Sequence, residues 1–354
     1  MKYNRLGRTN LEISVISYGG LPLFFMPVEE ATKLINAAID EGVNYIDCDE
    51  GGNQFVPKVV YEDTKNKLGQ VLKTRRDEVK VGIKCMFAKK DEVARDIDKA
   101  LDLIFKGTSR EVIDIFHLAH VDVDEKLELL LSPEGGLAAA EEAKNEGKID
   151  HILVASHNPK VLIRTLKTGR FDVAEFPFTI IEQEYLKEVI PYCRENDIGT
   201  IVMKPIGGGQ LGECATLSIR WIMQHNLDVI IPGMKTMDEL KQNIPIGHNY
   251  VPLSAEELKK LEDVSRPIGE EYCHRCGYCL PCPQGIHVLS QIDLFKTTLF
   301  NLEQKREMYT QVKARGTKTA SDCVACGECI EKCPFKLPIP EIMERIRDAL
   351  DVGD

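Results

Sequence analysis

The first 245 residues alternate short apolar runs, rich in β-branched residues, with longer segments whose apolar residues recur every three or four positions. Short apolar runs are typical of strands buried on both faces, and the longer period is typical of amphipathic helices. The predicted strands are residues 14–18, 43–47, 79–84, 112–116, 151–155, 171–176, 200–204 and 228–231. The predicted helices include residues 31–40, 93–105, 137–145, 159–166 and 217–225.

About eight strand and helix units in this order predict an α/β fold, a (β/α)8 TIM barrel. The active site of such a barrel lies at the C-terminal ends of its strands. A doubly wound sheet is the alternative. It is disfavoured because no G-x-G-x-x-G motif follows the first strand.

Two cysteine runs lie near the C-terminus, and each ends in a cysteine followed by proline. The second run has the C-x2-C-x2-C-x3-C-P spacing of iron–sulfur proteins, and the first has one residue fewer before its last cysteine. Three thiolates so spaced can bind one cluster, while the fourth can reach a neighbouring cluster. The predicted ligands are Cys273, Cys276, Cys279 and Cys282, followed by Cys323, Cys326, Cys329 and Cys333.

We therefore predict two [4Fe–4S] clusters. The alternatives are one cluster plus another metal arrangement, zinc, or disulfides. Zinc sites usually separate two C-x2-C pairs by a longer loop, and a reducing compartment opposes disulfides. Helices predicted at residues 287–312 and 339–350 surround the cysteines. The predicted domains are thus a barrel at residues 1–265 and a small, mostly α-helical, ferredoxin-like iron–sulfur domain at residues 266–354.

Composition narrows the class of protein. The chain has 354 residues and a formal net charge of −11, and no Lys/Arg run carries interleaved aromatic residues, which argues against nucleic acid as a partner. No stretch approaches the apolar length of a membrane span, and the N-terminal residues lack the apolar core of a signal peptide. We expect a cytoplasmic protein with no membrane partner.

Two predicted strands end in residues of opposite charge. Residues 43–47 end in Asp47, and residues 79–84 end in Lys84. Neighbouring strands of a barrel would bring this carboxylate and ammonium together at the catalytic end. Such a pair can lower the pKa of a nearby phenol and make it a usable proton donor. A purely structural ion pair at the barrel rim is the alternative.

Short motifs recur along nearly the whole chain. They are R-L-G-R-T at 5–9, Y-G-G at 18–20, G-V-N-Y-I-D at 42–47, L-G at 68–69, E-G-K-I at 146–149, M-K-P-I-G-G-G at 203–209 and I-P-G at 231–233. In these motifs the chain resembles the aldo-keto reductases, specifically the subgroup with a C-terminal ferredoxin-type domain. The resemblance implies an oxidoreductase that binds NADH or NADPH and a small carbonyl or alcohol substrate. The first cysteine run, C-G-Y-C-L-P-C-P-Q-G-I at 276–286, also looks like that of the subgroup.

The family's catalytic tetrad consists of Asp, Tyr, Lys and His. Asp47 and Lys84 stand in the matching motifs. Tyr61 stands seven residues before Leu68, the spacing that the family shows for its proton-donating tyrosine. This spacing implies Tyr61 as the proton donor. The loop between Asp47 and Tyr61 is longer than in the family, which is a departure from the family's pattern.

The position of the family's histidine falls on Ala119. His120 is one residue late and His117 is two residues early. The alternation of side chains along a strand favours His117, whereas nearness to the strand end favours His120. We predict His120 as the catalytic histidine, with His117 as the alternative; a third possibility is that neither acts.

The resemblance also implies a nucleotide site. Glycines after the seventh strand would let backbone N–H groups approach phosphate, and residues after the fifth strand would hold the nicotinamide amide. Glu239 stands where NADPH-using members commonly carry a cation, which favours NADH. The alternatives are that Lys235 or Lys241 compensates for the carboxylate, or that Glu239 is only a solvated helix residue. The predicted nucleotide contacts are Ser156, His157, Lys204, Gly207, Gly208, Gly209, Gly233, Lys235, Thr236, Glu239 and Asn243.

The main hypothesis is an aldo-keto reductase-like oxidoreductase whose clusters exchange electrons with a redox protein partner. Hydride transfer moves two electrons and a cluster moves one, so a flavin would normally mediate between them. The alternative is an electron-transfer or redox-responsive interaction protein whose barrel has lost carbonyl reduction. A third hypothesis makes the clusters structural staples only.

Overall fold

In a computed structural model of the protein, an eight-stranded parallel sheet forms the predicted (β/α)8 barrel. The structure describes residues 1–48 and 58–352, and for residues 58–65 it describes the backbone only. A hairpin of β1 (Tyr3–Arg5) and β2 (Glu12–Ser14) precedes the barrel. The barrel strands are β3 (Tyr18–Gly19), β4 (Tyr45–Cys48), β5 (Lys80–Cys85), β6 (Ile113–Leu118), β7 (Ile149–Ala155), β8 (Val173–Pro177), β9 (Gly199–Met203) and β10 (Val229–Ile231).

The strands follow one another around the barrel in chain order, and every neighbouring pair is parallel. Bridges from Ile16 to Ile230 and from Gly19 to Gly233 connect the first and last strands. Leu6 and Ile13 are fully buried against the barrel interior and fill its N-terminal end. The candidate site residues therefore belong to the opposite, C-terminal end.

Helices cover the outside of the barrel because their apolar stripes need the sheet for burial. One apolar core lies between helices and strands, and a smaller one fills the barrel interior. A capping box formed by Ser254 and Glu257 starts the last of these helices. They are α1 (Val28–Asp40), α2 (Lys58–Arg75), α3 (Lys90–Ala100), α4 (Asp124–Leu131), α5 (Gly136–Asn145), α6 (Pro159–Leu166), α7 (Val189–Glu195), α8 (Ala215–Met223), α9 (Met237–His248) and α10 (Ala255–Gly269).

The C-terminal region is helical and has an apolar core of its own. Its helices are α11 (Val288–Lys296), α12 (Leu302–Ala314), α13 (Glu328–Lys332) and α14 (Ile339–Leu350). A small helical region after the barrel is therefore confirmed, while the boundary between residues 265 and 266 stays a prediction. Within the described ranges, no helix is both long and apolar enough to cross a membrane.

The prediction of one helix over residues 287–312 was wrong. Helix α11 ends at Lys296, and α12 begins after Asn301, whose side chain accepts a hydrogen bond from the Gln304 N–H. The Gln304 side chain accepts one from the Asn301 N–H in return. This reciprocal cap starts a new helix, and the β-branched residues Thr297 and Thr298 lie in the break.

Gly82 provides a test of the packing inside the barrel. A Cβ atom at this position would lie 2.1 Å from the Tyr45 hydroxyl and 2.4 Å from His117 Nε2, so Gly82→Ala forces two buried side chains apart. We expect a loss of about 1–3 kcal/mol in the free energy of unfolding, measured with urea. The matched control is Gly212→Ala, where an added Cβ meets no atom within 4 Å. Equal stability of the two variants would contradict this account.

Candidate active site and cluster sites

An ammonium and a carboxylate meet at the C-terminal ends of neighbouring strands. Lys84 on β5 donates a hydrogen bond of 2.9 Å from Nζ to Asp47 Oδ1 on β4. Both residues are buried, with 7% and 1% of their surface exposed. The register sets Asp47 opposite Gly82, so the lysine two residues further along β5 can reach the carboxylate. The predicted neighbours are therefore in contact.

A second carboxylate shares this lysine. Glu175 on β8 places Oε1 2.8 Å from Lys84 Nζ and Oε2 3.2 Å from His117 Nδ1. The same His117 nitrogen lies 3.6 Å from Asp47 Oδ2. Burial raises the pKa of Glu175, but Lys84 and His117 outweigh burial and lower that pKa to about 2. Glu175 is therefore ionised at neutral pH and balances positive charge inside the barrel.

Tyr45, on β4, is a further member of this buried group and contacts His117. Its hydroxyl lies 3.0 Å from His117 Nε2, so the imidazole has polar neighbours on both ring nitrogens. Burial, aided by Asp47 and Glu175, raises the pKa of the Tyr45 phenol well above its ordinary value. Tyr45 therefore stays protonated at neutral pH and holds the ring of His117 in place.

The two histidines considered from the sequence lie in different places. His117 is fully buried beside Asp47 and Glu175, whereas the His120 side chain is 46% exposed and lies 3.2 Å from Asp122 through Nδ1. His120 has a φ of 54°, a left-handed backbone conformation that is uncommon outside glycine. Ala119, at the position of the family's histidine, is buried. The geometry groups His117 rather than His120 with Lys84, and the catalytic role of either stays a prediction.

His120 belongs to a second polar group above the barrel. Lys204 Nζ lies 2.6 Å from His157 Nε2, and His157 Nδ1 lies 3.4 Å from Asp122 Oδ2. Burial and the adjacent Lys204 lower the pKa of His157 to about 3. Burial opposes ionisation of Asp122, but His157 and His120 hold its pKa well below its usual range. A neutral imidazole therefore connects an ammonium with a carboxylate.

Both groups also have donor atoms that could hold a metal ion. The first group is Asp47, His117 and Glu175, and the second is His120, Asp122 and His157. Within each group, one possible ligand atom from each residue lies within 4.8 Å of those of the other two. Lys84 contacts both carboxylates of the first group, and Lys204 contacts His157 of the second. Lysine thus already supplies positive charge at both places.

Tyr61, the predicted proton donor, lies in the first turns of α2. Its side chain is outside the described residues. The start of α2 follows β4 along the chain, and β4 carries Asp47. The role of Tyr61 therefore stays a prediction.

Ser156 and His157, the predicted contacts of the nicotinamide amide, are buried after β7. Ser156 Oγ lies 2.7 Å from the Val121 carbonyl oxygen and 3.1 Å from Asp122 Oδ1. The His157 N–H donates to Asp122 Oδ1 at 2.6 Å. Asp122 therefore already engages the polar groups that the resemblance assigns to the amide.

Some backbone N–H groups of the glycine-rich loop after β9 form hydrogen bonds within the loop itself. Gly207 N–H donates to the Lys204 carbonyl and Gly209 N–H to the Ile206 carbonyl, both at 2.9 Å. Lys204, Gly207, Gly208 and Gly209 all have positive φ, so the loop is tightly turned. Two of the three glycine amides are thus used inside the loop.

The loop after β10 leads into α9. Thr236 Oγ1 accepts a hydrogen bond from the Glu239 N–H, and Glu239 Oε2 accepts one of 2.6 Å from the Lys235 N–H. An acidic side chain here also meets the positive end of the helix dipole. Gly233 begins this loop and the buried Asn243 follows on α9. Capping is therefore one function of Glu239, and its contact with a nucleotide stays a prediction.

The cysteines of the two runs gather into two crossed groups. Burial raises the pKa of the Cys276 and Cys279 thiols, and Cys333, the last of the second run, is close enough to both to raise it further. Cys282, the last of the first run, lines one cavity with Cys323, Cys326 and Cys329, and Cys279 borders the same cavity. Three thiols of one run and the fourth of the other fit the ligand pattern of two [4Fe–4S] clusters.

The C-terminal region lies over the C-terminal mouth of the barrel. Asn158, after β7, contacts the Cys276 carbonyl through Nδ2 at 3.5 Å. Phe25, after β3, packs edge-on against Phe300 with ring centroids 4.5 Å apart. Lys235 Nζ, after β10, donates to the Thr298 carbonyl at 3.0 Å. The first cysteine run therefore faces the barrel.

Comparison with known proteins decides the family. The profile of the aldo/keto reductase family matches residues 15–214, more than half of the chain. The chain belongs to the aldo/keto reductase family. A 4Fe-4S dicluster domain matches residues 267–334, which contain both cysteine runs. The oxidoreductase family and the iron–sulfur domain expected from the resemblance are thereby confirmed.

Three similar proteins each match about three quarters of this chain. A curated relative from Glycine max, "Probable aldo-keto reductase 1", is 22% identical over 326 residues, 75% of this chain and 89% of the relative. A Klebsiella pneumoniae aldo-keto reductase in complex with NADPH is 20% identical, with a TM-score of 0.59 over 74% of this chain and 94% of that one. The holo form of aldo-keto reductase AKR11C1 from Bacillus halodurans is 19% identical, with a TM-score of 0.58 over 75% and 96%. These structures confirm the fold.

Sequence reasoning missed three acidic residues of this aldo/keto reductase. Glu175 could have been found, because it is charged within an otherwise apolar strand and shares the inward face of Val173. Asp122 and Glu182 lie in loops, where no periodic pattern indicates which way a side chain points. Their contacts depend on neighbouring loops and on the docked C-terminal region.

Glu182 is fully buried between the barrel and this region. It accepts a hydrogen bond of 2.9 Å from the hydroxyl of Tyr272, the residue that precedes the predicted cluster ligand Cys273. Burial raises the pKa of Glu182 to about 7, although Arg275 and Tyr272 oppose the rise. The folded protein therefore binds a proton at this residue that the unfolded chain releases near pH 4.5.

This difference predicts a pH dependence. A carboxyl group whose pKa is raised by folding loses its stabilising effect as the pH rises through the folded pKa. Between pH 5.5 and 7.5 we expect the free energy of unfolding to fall by about 2 kcal/mol more in the wild type than in Glu182→Gln. Urea unfolding under anaerobic conditions measures this. The control Glu188→Gln changes an exposed carboxylate and should retain the wild-type slope; a full slope in Glu182→Gln would contradict the assignment.

The crossed cysteine groups predict which substitutions affect the same cluster. Cys333→Ser and Cys276→Ser should alter one EPR signal of the reduced protein, and Cys282→Ser and Cys326→Ser should alter the other. Each should lower the iron content from about eight toward about four per chain, because serine is a poorer cluster ligand. Pairing of Cys333→Ser with Cys326→Ser in the EPR spectra would instead indicate uncrossed ligation.

Proposed function

We propose that this aldo/keto reductase interconverts a small carbonyl and the corresponding alcohol with a bound nicotinamide nucleotide. The observation that carries the proposal is the buried Lys84, held between Asp47 and Glu175 at the C-terminal ends of the barrel strands. A positive charge fixed there favours the ionised form of a nearby phenol and makes it a better proton donor. Tyr61 is the proposed phenol.

The residues around Lys84 have distinct proposed roles. Asp47 and Glu175 hold the ammonium in place, and their negative charge favours its protonated state. His117, held by Tyr45 and Glu175, is the imidazole closest to this centre; His120 lies at the mouth, where it would orient the substrate. The nicotinamide, when bound, would supply or accept the hydride. The contacts of Asp122 with Ser156 and His157 support a role in shaping the amide site.

We further propose that the C-terminal domain at residues 266–354 holds two [4Fe–4S] clusters that exchange electrons with a redox protein. The two cysteine groups differ in exposure, which supports this role. Cys326 is exposed and follows Val324, which is 62% exposed, whereas Cys279 and Cys333 are buried. The group with Cys326 would face a protein partner and the other would face the barrel. Eight of the twelve cysteines are proposed cluster ligands and the other four are free thiols, which suits the reducing cytoplasm.

A second candidate is an electron-transfer or redox-responsive protein whose barrel no longer reduces carbonyls. Ala119 at the position of the family's histidine favours it, as does the glycine loop that uses its own amides. The retained Lys84 and Asp47 oppose it. In both candidates NADH is the favoured nucleotide, because Glu239 would repel a 2′-phosphate.

The test is anaerobic turnover of small aldehydes and ketones with NADH or NADPH. Lys84→Met and Tyr61→Phe should each lower kcat/KM about 10²–10⁴-fold, because both affect proton donation in the transition state. The control Lys260→Met changes an exposed lysine on α10 and should leave turnover unchanged. Wild-type protein that exchanges electrons with a one-electron donor but turns over no carbonyl would favour the second candidate.

A further inference from the structure

The break between α11 and α12 lies on the loops that the resemblance assigns to the nucleotide. We name this segment, residues 297–300, the strap. It reaches the barrel from the iron–sulfur domain and contacts the loops after β9, β10 and β3. These are neighbouring loops, because β10 and β3 are joined by the bridge that connects the two ends of the sheet.

Thr298 is the centre of the strap. Its Oγ1 lies 1.9 Å from the place where a Cβ of Gly209 would be, so the threonine side chain fills the space that this glycine leaves open. Its carbonyl oxygen accepts the hydrogen bond from Lys235 Nζ at 3.0 Å. A glycine and a lysine that were both expected to meet the dinucleotide therefore meet the same residue of the iron–sulfur domain.

The end of the strap is anchored by an aromatic contact. Phe300 packs edge-on against Phe25, which remains 38% exposed. Thr298 is itself exposed on its outer side. A few contacts of this kind can be exchanged for contacts with a ligand without unfolding either domain. The strap can therefore leave the loops while the domain core, built from α11 to α14, stays intact.

We propose that Thr298 sets the affinity of the barrel for its nucleotide, because the strap must leave Gly209 and Lys235 before a dinucleotide can bind there. This inference rests on the proposed function, since it requires a dinucleotide at these loops. The apparent dissociation constant then equals the intrinsic one divided by the fraction of molecules with the strap displaced. Nucleotide binding and docking of the strap are thus opposed, and the iron–sulfur domain responds to nucleotide.

The experiment measures NADH and NADPH binding to the full chain with its clusters loaded, under anaerobic conditions, by calorimetry. Thr298→Ala should lower the dissociation constant about fivefold to tenfold, about 1.0–1.4 kcal/mol at 1.4 kcal/mol per decade. Phe25→Ala, which removes the aromatic anchor from the barrel side, should change it in the same direction. The control Thr310→Ala, at an exposed position on α12, should bind like the wild type.

Hydrogen exchange provides an independent readout. Nucleotide should speed exchange of the backbone amides of the strap in the wild type. Weaker or unchanged binding by Thr298→Ala, or slower exchange of the strap with nucleotide, would overturn this inference while leaving the proposed function in place. If the wild type, Thr298→Ala and Phe25→Ala all fail to bind nucleotide, the proposed function is overturned, and this inference with it.

Discussion

The site depends on one buried ammonium. Lys84 lies inside the barrel, where an unpaired charge is costly, and Asp47 and Glu175 compensate it from two other strands. His117 contacts both carboxylates, and Tyr45 fixes the other side of its ring. Removing one partner would leave a neighbour buried without compensation. The positions of strands β4, β5, β6 and β8 are therefore tied together by charge as well as by backbone pairing.

The iron–sulfur domain completes the C-terminal end of the barrel. Many barrel enzymes cover this end with their own loops; here Asn158, Glu182 and Lys235 contact residues of a second domain. The first cysteine run carries Cys276, whose carbonyl meets Asn158, so one cluster site faces the barrel. The other site, with the exposed Cys326, faces outward. The outward site is the one at which the proposed redox partner would bind.

The two polar groups, one around Lys84 and one around His157, differ in how exposed they are. The group around Lys84 is buried, and both of its carboxylates contact the one ammonium, which suits a fixed electrostatic role. The group around His157 lies at the mouth, includes the partly exposed His120, and joins a loop whose Lys204 has a left-handed backbone. Strained residues of this kind often lie at functional sites.

The sequence by itself determined the barrel, the helical C-terminal region and the family, because strand and helix periods and cysteine spacing are local patterns in the chain. It also indicated the contact of Lys84 with Asp47, since the ends of successive parallel strands are neighbours. Even the break before α12 was readable at Asn301, a capping residue that the helix prediction overlooked.

Only the tertiary structure decided the rest. Glu175 reaches Lys84 across the barrel, and His117 rather than His120 joins them, because closure of the sheet sets which inward side chains meet. Which cysteine accompanies which run, and the contact of Thr298 with Gly209, depend on how distant segments dock. Such contacts arise from the packing of whole elements, and no local pattern in the chain encodes them.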